Sequence, residues 1–204
     1  MKRFLSCLVL IFLVLSGCGD SSAEPLLDGD IVFQTSRSSQ SAAIQLASRS
    51  QYSHVGIIFL QEGVPFVYEA VGPVRYTPLQ EWISQGEGGR YVVKRLRDAD
   101  RILTAEAVAR LRKAAQGFRG KPYDLVFEWS DDSIYCSELV WKIYDRALGV
   151  RIGQLQKLRD FDLSHPVVQA KLRERYGNRV PLNETVISPA AMFSSEILKV
   201  IPVD

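Results

Sequence analysis

Breaking an amide or ester by covalent catalysis takes a nucleophile, a base that exchanges its proton and a group that orients the base. Within this chain of 204 residues the types and spacing that meet those needs are Cys136, His54 and Glu69. Cys136 opens a helical stripe of Cys136, Leu139, Val140, Ile143, Tyr144 and Ala147, which puts the thiol in the first turn, on the inward face. A helix N-terminus favours negative charge and so favours a thiolate. The competing role for Cys136 is that of a small apolar residue packing its helix onto a sheet. Of the two histidines, His54 begins the strand-like run HVGIIFL, whereas His165 lies in a polar loop before Pro166. A strand holds its neighbours in place, as a base requires, and His54 is therefore the candidate base; a core or edge histidine without catalytic duty is the alternative.

The elements that must position these groups are legible in outline. Asp30 to Phe33 and Arg90 to Leu96 read as strands, and His54 to Leu60 with Pro65 to Ala70 as a hairpin. Helices are expected over 39–48, 78–84, 104–117 with Thr104 as N-cap, 135–148 and 166–176, and after Ser188-Pro189. Asp131, Asp132 and Ser133 are expected to cap the cysteine helix. The pattern is α+β, an antiparallel sheet packed against helices, in one folded domain over 26–204. If Glu62-Gly63 form a two-residue turn, Gln61 pairs with Val64 and Glu69 faces Gly56. Glu69 is then diagonal to His54 on one side of the sheet, at ~7–8 Å between backbone positions, within reach of a carboxylate. Gly56 would leave room for that carboxylate. A three-residue loop would instead send Glu69 to the opposite face. The helix bearing Cys136 is expected to pack across the face from which His54 and Glu69 project.

The N-terminus places this domain outside the cytoplasm. Lys2 and Arg3 precede a 12-residue apolar run from Phe4 to Leu15, shorter than the ~20 residues of a bilayer span and suited to a secretory signal. The following Leu15-Ser16-Gly17-Cys18 resembles a bacterial lipobox, which implies a signal peptide over 1–17 and lipidation of Cys18. A plain signal peptide or an uncleaved anchor is the alternative. Gly19 to Pro25 reads as a polar tether, so 18–25 links lipid to domain. Removal of 1–17 takes away Lys2 and Arg3 but no acidic residue, leaving basic and acidic side chains balanced at 23 each. Cys136 is then the only thiol of the folded domain and has no disulfide partner within it.

Other chemistries find little support. One cysteine and two histidines without ligand spacing do not suggest zinc, no Gly-rich phosphate loop is present, and no cofactor is expected. A near-neutral chain without a basic stripe gives no nucleic-acid signal. The cations Arg95, Arg97, Arg101, Arg110, Arg112 and Lys113 read as a solvated face, with attraction to anionic headgroups as the alternative.

The blocks Gly29-Asp30-Ile31-Val32-Phe33, Ser53-His54-Val55-Gly56-Ile57, Tyr68-Glu69-Ala70 and Tyr135-Cys136-Ser137-Glu138-Leu139-Val140 resemble the circularly permuted NlpC/P60 group of papain-like cysteine hydrolases. Within that group they are most similar to the YiiX/YaeF-type permuted amidases. In ordinary NlpC/P60 domains the cysteine helix comes first; here His54 and Glu69 precede Cys136, as permutation requires. The resemblance implies Cys136 as nucleophile, His54 as base and Glu69 as orienting carboxylate. Gly120-Lys121-Pro122-Tyr123-Asp124 looks like the segment shortly before the family's nucleophile, which implies Tyr123 as an oxyanion or substrate contact. The expected protein is a lipid-anchored cysteine hydrolase of the bacterial cell envelope, cleaving an amide in a peptide or cell-wall fragment through a thioester. The alternatives are an acyltransferase or lipase acting on lipid acyl groups and a non-catalytic envelope lipoprotein. A small-molecule, peptide or lipid substrate and the membrane are the expected partners.

Two or more acyl chains hold a protein firmly on a membrane where one is marginal. Gly19, not Asp, follows Cys18, which implies outer-membrane delivery, facing the periplasm, in a two-membrane cell. Cys18→Ala is expected to leave the precursor unprocessed at this site and without lipid; its recovery as a cleaved, firmly membrane-bound protein would sink the anchoring expectation.

Overall fold

The computed structural model describes residues 23–203; the expected signal peptide over 1–17 and Cys18 lie outside the described residues. Eight strands and seven helices follow in the order β1 (Ile31–Ser36), α1 (Ser41–Ser48), β2 (His54–Gln61), β3 (Val64–Glu69), β4 (Arg75–Pro78), α2 (Leu79–Ser84), β5 (Gly86–Leu96), α3 (Ala99–Ile102), α4 (Ala105–Gln116), α5 (Cys136–Leu148), β6 (Gln156–Lys157), α6 (Pro166–Tyr176), β7 (Thr185–Val186), α7 (Pro189–Phe193) and β8 (Leu198–Ile201). Six strands form one antiparallel sheet in the order β4-β3-β2-β1-β5-β8. Strands β6 and β7 pair separately. The α+β expectation holds, and the short strands β4 and β8, which carry little apolar alternation, are additions to it.

Strand periodicity sorts the core into two layers. Ile31, Phe33, Val55, Ile57, Phe59 and Tyr68 point to one face, where Leu111 of α4 and Leu139, Val140 and Ile143 of α5 cover them. Val32, Ile58, Val67 and Val93 point to the other face, under Leu79 and Trp82 of α2. A sheet buried on both sides explains why β1 and β2 read as nearly continuous apolar runs.

The hairpin register is the two-residue one. Ile57 pairs with Tyr68 and Gln61 with Val64, and both turn residues, Glu62 (φ 51) and Gly63 (φ 81), lie in the left-handed region that a type I′ turn demands. The space at Gly56 is already taken. A Cβ there would stand 2.4 Å from Val67 Cγ1 and 3.5 Å from Glu69 Cβ, so glycine admits the neighbouring strand as well as the carboxylate.

Capping differs from expectation in one place. Thr104 and Ser188 cap α4 and α7 by accepting from Ala107 N and Ala191 N, and His165, expected in a loop, caps α6 by accepting from Val167 N at 3.2 Å. Tyr135 occupies the N-cap of α5 with no side-chain capping bond. Asp131 is drawn away by Lys142 (2.9 Å) and by both terminal nitrogens of Arg146, since opposite charges outcompete a neutral N–H.

Residues 24 and 25, at the end of the stretch expected to be a tether, make contacts with the fold. Glu24 N donates to Pro202 O, and buried Arg95 donates to Glu24 Oε2 (3.0 Å), to Pro25 O (2.7 Å) and to both oxygens of Asp30. Arg95 thus leaves the expected solvated face, and Arg112 is also engaged, by Asp28 and Leu60 O.

Gly56→Ala is expected to cost about 1–3 kcal/mol through overpacking against Val67, read as a lowered urea midpoint. An unchanged midpoint would show that β3 yields at this point.

Candidate active site

Glu69 is fully buried near the end of β3, and His54, 7% exposed, starts β2. His54 Nε2 donates to Glu69 Oε2 at 2.6 Å, and Thr77 Oγ1 of β4 donates to Glu69 Oε1, also at 2.6 Å. Both carboxylate oxygens are therefore satisfied, which a buried charge requires. The His54 ring lies 6.0 Å from that of Trp82 of α2. Nδ1 is the ring nitrogen left for the thiol, and Cys136 is close enough to the ring to act on its ionisation. Burial works to lower the pKa of His54, but the bonds and charges of Cys136 and Glu69 overcome it and raise it to about 10. For Glu69 burial works upward, and the contacts with His54 and Thr77 override it and hold the carboxyl below its usual range.

The sequence places Cys136 at the first position of α5, as observed, but not on the expected side of the sheet. His54 and Glu69 share strand parity with Ile58 and Val67, the face under α2, whereas α5 packs on the face of Val55, Ile57 and Phe59. The thiol meets the imidazole around the end of β2, where His54 is the first strand residue, and not across a face. Only the end of a strand lets residues from opposite faces converge this way.

The charges around the start of α5 also bear on a negative charge at the thiol. Arg146 and Lys142 hold Asp131 well below the usual carboxylate range. Glu138, one turn into the helix and fully buried, sits 2.7 Å from Lys142, and burial pushes its pKa up to about 7. At neutral pH Glu138 is thus partly protonated, which lessens its opposition to a thiolate two residues away.

Tyr123 is half-buried and lines the walls of two spaces. One is a cleft of about 990 Å³ that includes His54, Gln40, Val71 and Arg175; the other is an apolar pocket of about 80 Å³ shared with Cys136, Phe127 and Ile187. Gln40 Nε2 donates to Tyr123 Oη at 2.7 Å. Thr77, Trp82, Gln40 and Arg175 complete the surroundings of the site and carry no recognisable spacing in the sequence; topology alone brings β4, α2, α1 and α6 to the same rim.

Comparison with known proteins shows what the chain is similar to. The protein YiiX of Escherichia coli K12 is 56% identical over 167 residues, covering 82% of this chain and 81% of the relative. A crystal structure of the metalloprotein YiiX from Escherichia coli O157:H7 superposes with a TM-score of 0.85 at 53% identity, covering 89% of this chain and 99% of that one. Among the described residues of the present chain no group of three or more His, Cys, Asp or Glu side chains converges as a metal site. The model of the permuted papain-like amidase enzymes matches residues 26–202, a narrower group than NlpC/P60 at large. With a base strand and its carboxylate preceding the cysteine helix, and a family match over nearly the whole fold, the chain belongs to the permuted papain-like amidase enzymes of the YaeF/YiiX, C92 family.

Proposed function

We propose that this cysteine amidase-type hydrolase cleaves an amide bond in a peptide or cell-wall fragment through a thioester on Cys136, while held at the cell envelope by lipid on Cys18. The observation that carries the reading is the buried His54–Glu69 pair at 2.6 Å, with Cys136 near enough to the imidazole to help raise its pKa. In this reading Cys136 Sγ adds to the carbonyl carbon as its proton resides on His54 Nδ1. His54 then returns that proton to the leaving amine, and water attacks the thioester with His54 as base. Glu69 keeps Nε2–H engaged and stabilises the imidazolium, while Thr77 holds Glu69. In this reading the oxyanion is met by the Cys136 N–H, which in the first turn of α5 has no intrahelical acceptor, and by the Tyr123 hydroxyl.

A second reading, handling of lipid acyl groups, has one observation in its favour: the pocket beside Cys136 is lined chiefly by apolar groups. Its ~80 Å³ is well below the ~300–1,000 Å³ of a usual ligand pocket, a range the polar cleft reaches at ~990 Å³. Size therefore favours a substrate with polar groups in the cleft and only a small group beside the sulfur.

Cys136→Ser and His54→Ala are each expected to lower kcat by at least about 10³-fold, with an acyl group trapped on Cys136 of the unsubstituted protein and identified by mass. A fully active Cys136→Ser protein would instead leave Cys136 as core packing. The raised pKa of His54 sets the sign of the pH dependence. Its bonds stabilise the fold fully below pH ~6.5 and that contribution is lost as pH rises through about 10. The contribution of Glu69 is present above pH ~4.5 and is lost as pH falls through its lowered value. The difference in Tm between wild type and Glu69→Gln should therefore be largest between about pH 4.5 and 6.5 and shrink toward both extremes; a difference constant with pH would contradict the charged pair. The same substitution should move the alkaline limb of kcat/KM to lower pH.

A further inference from the structure

We propose that Arg175 and Gln40 are positioning residues that make the Tyr123 hydroxyl a dedicated hydrogen-bond donor to the carbonyl oxygen under attack by Cys136. This rests on the reading of Cys136 as nucleophile. Gln40 stands at the N-cap of α1 but its side chain does not cap that helix; it turns to Tyr123. Arg175, in the last turn of α6, donates through Nη2 to Gln40 Oε1, and its guanidinium stacks 4.7 Å from the centre of the Phe127 ring.

The direction of every proton in this chain follows from donor chemistry. A guanidinium has no acceptor, so the amide oxygen of Gln40 must face Arg175 and the amide nitrogen must face Tyr123. The phenol oxygen therefore accepts from Gln40 Nε2, at 2.7 Å, and its own proton is left to be given elsewhere. Among the described residues no protein group is seen to accept it, and Tyr123 lines both the space that holds His54 and the one that holds Cys136. Burial and the nearby Cys136 charge push the phenol pKa upward, so the proton stays on the oxygen. Without Arg175 the amide is free to turn over and present its oxygen to Tyr123, which would capture the proton the oxyanion needs. The bond to the substrate strengthens as charge moves onto the carbonyl oxygen, so its loss is felt in the acylation step.

Two reagents separate this role from general damage. With p-nitrophenyl acetate, Sγ bonds to the carbonyl carbon, the oxyanion forms and collapses, and p-nitrophenolate leaves with its electron pair, giving acetyl-Cys136. With iodoacetamide, Sγ displaces iodide at a methylene carbon and no oxyanion forms. Tyr123→Phe is expected to slow acetylation about 100-fold, and Gln40→Leu and Arg175→Met about 10-fold each, with alkylation within about twofold of wild type in all three, and Arg175→Lys recovering most of the loss. In the Tyr123→Phe background the Gln40 and Arg175 substitutions should add nothing.

Losses that persist undiminished in the Tyr123→Phe background would show that Gln40 or Arg175 meets the substrate directly, and would overturn the relay. Equal slowing of alkylation would reduce both residues to structural support. Absence of acetyl from Cys136 in the unsubstituted protein, with alkylation intact, would remove the nucleophile reading and the relay with it.

Discussion

Glu69 carries a carboxylate with no solvent exposure, and such a charge persists only where partners replace the lost water. Those partners, His54 on β2 and Thr77 on β4, come from the two strands that flank β3, so the pair exists only in one register of three adjacent strands. A slip by one residue would turn Glu69 into the opposite apolar layer and leave the imidazole without its anchor. The Glu62-Gly63 turn sets β2 against β3, and the pairing of Glu69 with Arg75 sets β3 against β4. The sheet order is thus the support of the catalytic geometry as well as of the core.

The cysteine reaches this pair from the other side of the sheet. Helix α5 is bound to the face of Ile57 and Phe59 by Leu139, Val140 and Ile143, and its axis is further held by Tyr144, whose hydroxyl donates to Gly29 O. These contacts fix where the first turn ends, and that position coincides with the first residue of β2. Lys142 joins α5 to the preceding loop by pairing with Asp131, and within the helix it also pairs with Glu138. Acidic groups near the thiol are thereby neutralised by partners or protonated by burial, so the helix N-terminus is not opposed by a free carboxylate of that cluster.

At the far edge of the sheet, Arg95 ties Glu24 and Pro25 to Asp30. Five residues then separate Glu24 from Cys18, a span of at most about 20 Å when extended. Together with the proposed lipid on Cys18, this clasp would keep the domain close to the membrane surface, because the chain cannot lengthen past Glu24 without breaking the Arg95–Glu24 ion pair and the bond to Pro25 O.

The local features were legible before any coordinates. The stripe of α5 that starts at Cys136, the Glu62-Gly63 turn, the register it imposes and the caps at Thr104 and Ser188 follow from near-neighbour physics, where a side chain and the backbone within a few residues decide the outcome. So does the placement of the two histidines, His54 at the start of a strand and His165 before the Pro166 that opens a helix. Tertiary structure decided what near neighbours cannot express. The face on which α5 lands depends on how the whole sheet partitions its apolar residues, and it placed the thiol around a strand end and not across it. Asp131 abandoned its expected cap because Lys142 and Arg146, more than ten residues away, offered opposite charge. Thr77, Gln40 and Arg175 came to the site from β4, α1 and α6, elements whose own sequences carry no mark of it, because long-range packing alone determines which distant loops share a rim.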